Sequence, residues 1–110
     1  HQQMLLFIFR NIINNATKHS ATAGEILIYS ETTSDENIIS IKDKGNGIHP
    51  EKLKNIFKIN NSSHQDDTGR AGVALVISHS MMRQMNGRIW VDSELGKGTI
   101  FHLAFPLAYD

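Results

Sequence analysis

A chain of 110 residues, 40% apolar and 20% charged, holds enough apolar side chain for one compact core and too little for two. Eleven Lys and Arg balance eleven Asp and Glu, which argues against a nucleic-acid surface and against a polybasic membrane patch. With no cysteine, disulfides, thiolate metal sites and cysteine nucleophiles are excluded, and no apolar run approaches the ~20 residues of a membrane span.

His1-Gln2-Gln3 leads straight into an apolar helical pattern. This start is expected of a fragment of a longer protein, truncated at its N-terminal edge, whose membrane segment, if it has one, lies elsewhere. Leu5, Phe9, Ile12 and Ala16 recur at helical spacing, with Leu6 and Ile13 beside them, and predict a helix from about Met4 to His19. Ser20 to Gly24 ends it. Ile26 to Thr32 is β-branched and aromatic enough for a strand, Thr33 to Glu36 turns the chain, and Asn37 to Lys42 reads as the hairpin partner.

Asp43 to Gly47 is a loop, and Pro50 suits the first turn of a short helix with Glu51 at its positive end. Leu53, Ile56 and Phe57 are expected to face the core. Asn60 to Ala71 is polar and contains glycine, the pattern of a mobile loop. Val73, Ile77, Met81 and Met85 recur at i, i+4 intervals and predict a third helix, which Asn86-Gly87 ends with residues that tolerate positive φ. Arg88 to Ser93 and Thr99 to Pro106 are two further strands. Hairpins of one sheet beside these helices point to a two-layer α/β sandwich of the α+β class.

Two constellations carry chemistry. Asn11 and Asn15 are four apart and share a helix face, and amide oxygens are hard ligands suited to Mg²⁺. Mg²⁺ commonly borrows phosphate oxygens as well, and Lys18, three residues beyond Asn15 and followed by His19, can approach the same phosphates. Ordinary surface amides on a polar face are the other reading. Asp43-Lys44-Gly45-Asn46-Gly47-Ile48 then follows a strand: a carboxylate that can accept from an exocyclic amine, with glycines that let backbone approach a ligand. Its alternative is a glycine-rich turn with a solvated aspartate. The spacing fits neither a P-loop nor a dinucleotide fingerprint.

Taken together these segments resemble the catalytic domain of sensor histidine kinases, in the Bergerat-type fold shared with gyrase and the HSP90 chaperones. Asn11 to Ser20 matches the asparagine box, Asp43 to Ile48 the first glycine box, and Ile56-Phe57 the phenylalanine box. The closing segment is matched by Gly87 to Ser93, then Gly96 to Thr99 and Phe101. The resemblance covers almost the whole chain. It implies one domain over residues 1–110, with a mixed, mostly antiparallel sheet covered on one face by three helices. It implies ATP and Mg²⁺ as cofactors. Asn15 would hold the metal, Asn11 would support the same cluster, and Lys18 and His19 would lie near the phosphates or ribose. Asp43 would bind the adenine amine, Gly45, Gly47 and Ile48 would shape the pocket, and Thr99 would sit behind Asp43. Asn60 to Ala71 would form a lid over the nucleotide.

ATP-hydrolysing relatives resemble this box but carry a glutamate where this chain has Asn11, which is no base; the resemblance therefore implies phosphoryl transfer, not hydrolysis. Asn11, Asn15 and Lys18 are the candidate catalytic residues, and the acceptor would be a histidine on a separate dimerisation domain. The parent protein would be a homodimer that passes the group to a response regulator. The fragment would be monomeric, cytoplasmic and unable to phosphorylate itself, whether or not its parent is anchored in a membrane.

The chain departs from the family at the second glycine box. Arg70 to Leu75 falls on it, and Gly72 is kept while Arg70 and Ala74 replace two glycines, with Gly69 one residue out of register. Gly69, Arg70, Gly72 and Val73 are nonetheless expected to line the phosphates. The erosion leaves a non-catalytic interaction module as an alternative, and an anti-sigma-type serine kinase as a third. The six histidines show no metal-ligand spacing. His79 and Ser80 are expected on a helix surface, and Trp90 on the sheet with one packed face.

Overall fold

The computed structural model describes residues 2–19, 25–58 and 69–107. Seven elements follow one another: α1 (Gln2–His19), β1 (Leu27–Thr32), β2 (Glu36–Asp43), α2 (Pro50–Leu53), α3 (Gly69–Gln84), β3 (Arg88–Glu94) and β4 (Gly98–Pro106). The strands form one sheet in the order β1-β2-β4-β3, and every pairing among the described residues is antiparallel. The expected end of α1 at Ser20 to Gly24 and the loop over residues 60–68 lie outside the described residues. Gly69, Arg70 and Ala71, expected in that loop, form the first turn of α3 instead.

Alternation along the strands sorts the side chains onto two faces. Ile41 of β2, Phe101 and Leu103 of β4 and Ile89 of β3 point to one of them. There they meet Ile8 and Ile12 of α1 and Leu75 and Met82 of α3, and these eight buried residues form the core. Ile56 and Phe57, which follow α2, pack against its edge. The Phe57 ring also stacks on His79 of α3 at 5.2 Å between centroids, so His79 is half-buried rather than on the surface.

On two helices the buried face does not follow from the apolar spacing. On α1, Ile8 is fully buried while Leu6 is 55% exposed. On α3, Val73 is 56% and Ile77 39% exposed, and the packed stripe is Leu75, Ser78 and Met82, spaced by three and four. The reason is visible in the sequence. Val73 to Ile77 is apolar all the way round the helix, so periodicity cannot pick a face. The packed stripe also contains a serine, which disguises it.

Local chemistry closes the elements. Asn86 takes φ 62°, its N–H bonds the Arg83 carbonyl at 3.0 Å, and the Gly87 N–H bonds the Met82 carbonyl at 2.8 Å. This is the Schellman arrangement, which satisfies the last carbonyls of α3 and turns the chain into β3. At α2, Pro50 occupies the first turn and His49 Nδ1 accepts from the Glu51 N–H at 3.1 Å.

The other sheet face carries a polar and aromatic ladder. Ser40, His102 and Trp90 lie side by side in register on β2, β4 and β3. His102 Nδ1 meets Ser40 Oγ at 2.8 Å, and its Nε2 meets Asp92 Oδ2 at 3.0 Å. Trp90 stacks on the imidazole at 4.9 Å, and the Arg88 guanidinium lies 4.6 Å from the indole centroid. Arg88 is in turn bound by both carboxylate oxygens of Glu36. Trp90 thus has the packed face expected of it.

Candidate functional site

Asp43 ends β2, and the ladder places it opposite Thr99, which lies opposite Ser93. Three adjacent strands therefore present these side chains in one row on the helix side of the sheet. Asp43 is 3% and Thr99 5% exposed. A carboxylate so buried needs partners, and the Gly45 N–H supplies one, donating to Asp43 Oδ1 at 2.7 Å. The second carboxylate oxygen is left to accept a further donor.

The loop Asp43 to Ile48 is held from the β3–β4 turn. Ser93 Oγ accepts the Ile48 N–H at 2.8 Å, contacts Thr99 Oγ1 at 2.8 Å and donates to the Gly98 carbonyl at 3.1 Å. The Gly96 N–H donates to the Asn46 carbonyl at 2.9 Å. Two glycines are required by this close docking. Gly47 has φ 80°, and any Cβ there would strike the Glu94 carbonyl; Gly98 has φ 119°, and a Cβ there would strike the Asp43 carbonyl. An open hollow of about 330 Å³ lies at this end of the sheet, lined by Lys42, Asp43, Asp92, Glu94, Lys97 and Thr99 among others; among the described residues, none of α1 lines it.

The asparagines sit on α1, which packs on β2 and on α3. Asn15 is 9% exposed, among the buried residues of the helix rather than on a solvated face. Asn11 is half-buried and turned towards α3, where its Nδ2 donates to the Ala74 carbonyl and to Ser78 Oγ, each at 3.1 Å. Thr17, between Asn15 and Lys18, bonds back to the Ile13 carbonyl at 2.9 Å. Lys18 and His19 occupy the last turn of α1, and Gly69, Arg70 and Gly72 the first turn of α3; their side chains lie outside the described residues. Val73 is in α3 and exposed. Among the described residues, no group of three or more His, Asp or Glu could hold a metal ion. None of these has a helix long and apolar enough to cross a membrane.

The structure thus brings Asp43, Gly45, Ile48 and Thr99 into one hydrogen-bonded unit, with Gly47 packed closely against the Glu94 backbone beside it. Ser93 belongs to that unit and was legible in the sequence only as part of a strand; its position six residues before Thr99, across a glycine-rich turn, is the signal that pairs them. Ser78 belongs to no motif in the sequence. The polar side chain inside an apolar helix was the sign of a buried partner.

The chain is thus a two-layer α/β sandwich with a buried aspartate and a glycine loop at one end of its sheet. The chain belongs to the histidine kinase-, DNA gyrase B- and HSP90-like ATPase family, whose model matches residues 1–109. Similar curated proteins include sporulation kinase C of Bacillus subtilis, 34% identical over 99% of this chain and 25% of its own length. The cyanobacterial phytochrome A of a Nostoc species is 37% identical over 94% of this chain and 14% of its own. Sensor protein SrrB of Staphylococcus aureus is 35% identical over 90% and 18%. The chain therefore spans a quarter or less of the curated relatives it matches. Among solved structures, the mycobacterial sensor histidine kinase MprB superposes with a TM-score of 0.79 at 22% identity, over 96% of this chain and 72% of that one, a likeness of fold. Full-length ShkA in complex with AMPPNP superposes with a TM-score of 0.79 at 29% identity, over 97% of this chain and 22% of that one.

Proposed function

We propose that this chain is the ATP-binding catalytic domain of a sensor histidine kinase, and that residues 1–110 form one domain of a longer protein. The observation that carries the reading is the buried carboxylate of Asp43, with one oxygen bound to the Gly45 N–H and one left for a donor such as the adenine amine. The donor set fits the rest of the ligand. Gly47 and Gly98 let the loop after Asp43 and the β3–β4 turn pack backbone to backbone beside that carboxylate, and Asn15 offers a buried amide oxygen of the kind Mg²⁺ accepts. Asp43, Gly45, Gly47, Ile48 and Thr99 would hold the base. Asn15, Lys18 and His19 would hold the metal and phosphates, with Gly69, Arg70, Gly72 and Val73 at the lid end of α3. Bound Mg²⁺ would supply charge neutralisation on the phosphates.

Transfer, not hydrolysis, is supported by Asn11, which has no basic lone pair and whose N–H groups are engaged by α3. The acceptor is a histidine on a separate dimerisation domain, in a homodimeric parent that hands the phosphoryl group to a response regulator; the family match and the likeness to sporulation kinase C and sensor protein SrrB support this reading. The domain acts on the cytoplasmic side, and alone it binds nucleotide without phosphorylating itself. Titration calorimetry with a non-hydrolysable ATP analogue and Mg²⁺ tests the reading. Binding that Asp43→Asn weakens and strips of its preference for adenine over guanine is expected; no binding heat at millimolar nucleotide rules the reading out.

A further inference from the structure

We infer that Asn11 is a positioning residue that locks α1 to α3 through the Ala74 carbonyl and the Ser78 hydroxyl, and so sets where Asn15 stands relative to the start of α3. The inference rests on the nucleotide reading above and adds to it a division of labour between the two asparagines.

Asn11 Nδ2 carries two hydrogens, and it has two acceptors at 3.1 Å, one the Ala74 carbonyl and the other Ser78 Oγ. Ser78 Oγ donates its own hydrogen to the Ala74 carbonyl at 2.9 Å, which leaves its lone pairs free to accept from Asn11. The three groups close a ring in which every hydrogen has an acceptor. Ser78 is 0% exposed, so no bulk water stands ready to replace a lost partner. Among the described residues, both helices also join the apolar core, α1 through Ile8 and Ile12 and α3 through Leu75 and Met82. Apolar packing is non-directional and tolerates sliding. The polar ring is what fixes the register of the two helices.

Its place in the fold makes that register functional. Asn11 lies one helical turn before Asn15, and Ala74 lies five residues after Gly69, where α3 begins. The tie therefore stands about one turn from each of the two segments that face the phosphates in the proposed site. It also gives position 11 a second meaning. A carboxylate there has no N–H to donate and would face the Ala74 carbonyl, oxygen against oxygen. Asparagine is needed for the helix contact as well as for being no base.

The test uses the 110-residue chain and titrates the non-hydrolysable ATP analogue, once in Mg²⁺ and once in EDTA, at a temperature where circular dichroism shows each variant folded. Failure of the unaltered chain to bind would strike the nucleotide reading and not the tie. If the unaltered chain binds, Asn11→Asp is expected to weaken affinity about tenfold, by the same factor with and without metal. Ser78→Ala, which removes one acceptor on α3, is expected to weaken it several-fold, and the double variant to lose less than the product of the two. Hydrogen exchange in folded Ser78→Ala is expected to quicken over residues 73–78. A loss at Asn11 confined to Mg²⁺, with Ser78→Ala silent in both readouts, would make Asn11 a metal-site residue and overturn the tie. Losses that multiply independently would overturn it as well. Should Asn11→Asp not fold, Ser78→Ala alone decides: unchanged affinity and unchanged exchange reject the inference.

Discussion

Gly98 lies flat against the backbone of Asp43, at φ 119°, with its missing side chain directed at the Asp43 carbonyl. The first residue of β4 and the last of β2 approach this closely because no Cβ stands between them. Gly98→Ala forces both a disfavoured backbone and a steric clash, so a stability loss of more than about 2 kcal/mol is expected. Nucleotide affinity should fall with it, since the displaced residue is Asp43. Urea unfolding at constant m-value measures the first effect, and calorimetry on the folded fraction the second.

Ser93 receives the Ile48 N–H and contacts Thr99 and Gly98. Ser93→Ala leaves the Ile48 N–H without its acceptor and is expected to cost about 1–3 kcal/mol, an affinity loss on the order of 5- to 100-fold if the loop alone loosens. A variant that binds the ATP analogue as tightly as the parent would remove Ser93 from the pocket's support.

Ala74 lies inside α3, and its contact with Asn11 runs through the carbonyl and not the methyl group. Ala74→Gly is therefore expected to lower stability by about 1 kcal/mol, the helix-interior cost of glycine, and to leave nucleotide affinity within about twofold. A large gain in affinity would show that the methyl group obstructs the phosphates.

His102 joins Ser40, Asp92 and Trp90 on the helix-free face, and Ser40 is 4% exposed. His102→Ala strands the Ser40 hydroxyl and uncovers one face of the indole. A loss of about 1–3 kcal/mol is expected, seen as a fall in Tm of several degrees. Trp90 is the single tryptophan of the chain, so its emission should move to the red in the same variant.

Glu36 is held below its ordinary value of 4.5, first by the hydrogen bond from Arg88; desolvation opposes this, and the guanidinium charge adds a smaller lowering of its own. A carboxylate whose folded value is depressed contributes stability above its unfolded value and loses it as pH falls through the folded one. Glu36→Gln should therefore lower Tm slightly at neutral pH, and the gap should close below about pH 4.5. Both groups are open to solvent, so added salt should shrink the gap as well.

Most of the elements and the loop Asp43 to Gly47 are legible in the sequence alone. Apolar periodicity in Leu5 to Ala16, the β-branched runs at 26–32 and 37–42, and the Asn86-Gly87 stop are local signals, and local backbone preference suffices to read them. The spacing of Asp43, Gly45 and Gly47 is equally local, because the Asp43–Gly45 hydrogen bond closes over two residues. Which face of a helix is buried is not local. Ile8 and Leu75 are core, and Leu6 and Val73 exposed, because of where β2, β4 and the partner helix lie, and a helix apolar on every side offers no stripe to choose. Nor could spacing show that Asn11 reaches Ser78, 67 residues away, or that Ser93 receives the Ile48 N–H across 45. Those pairings exist because helix packing and sheet register bring distant residues within 3.1 Å, where buried donors must find acceptors.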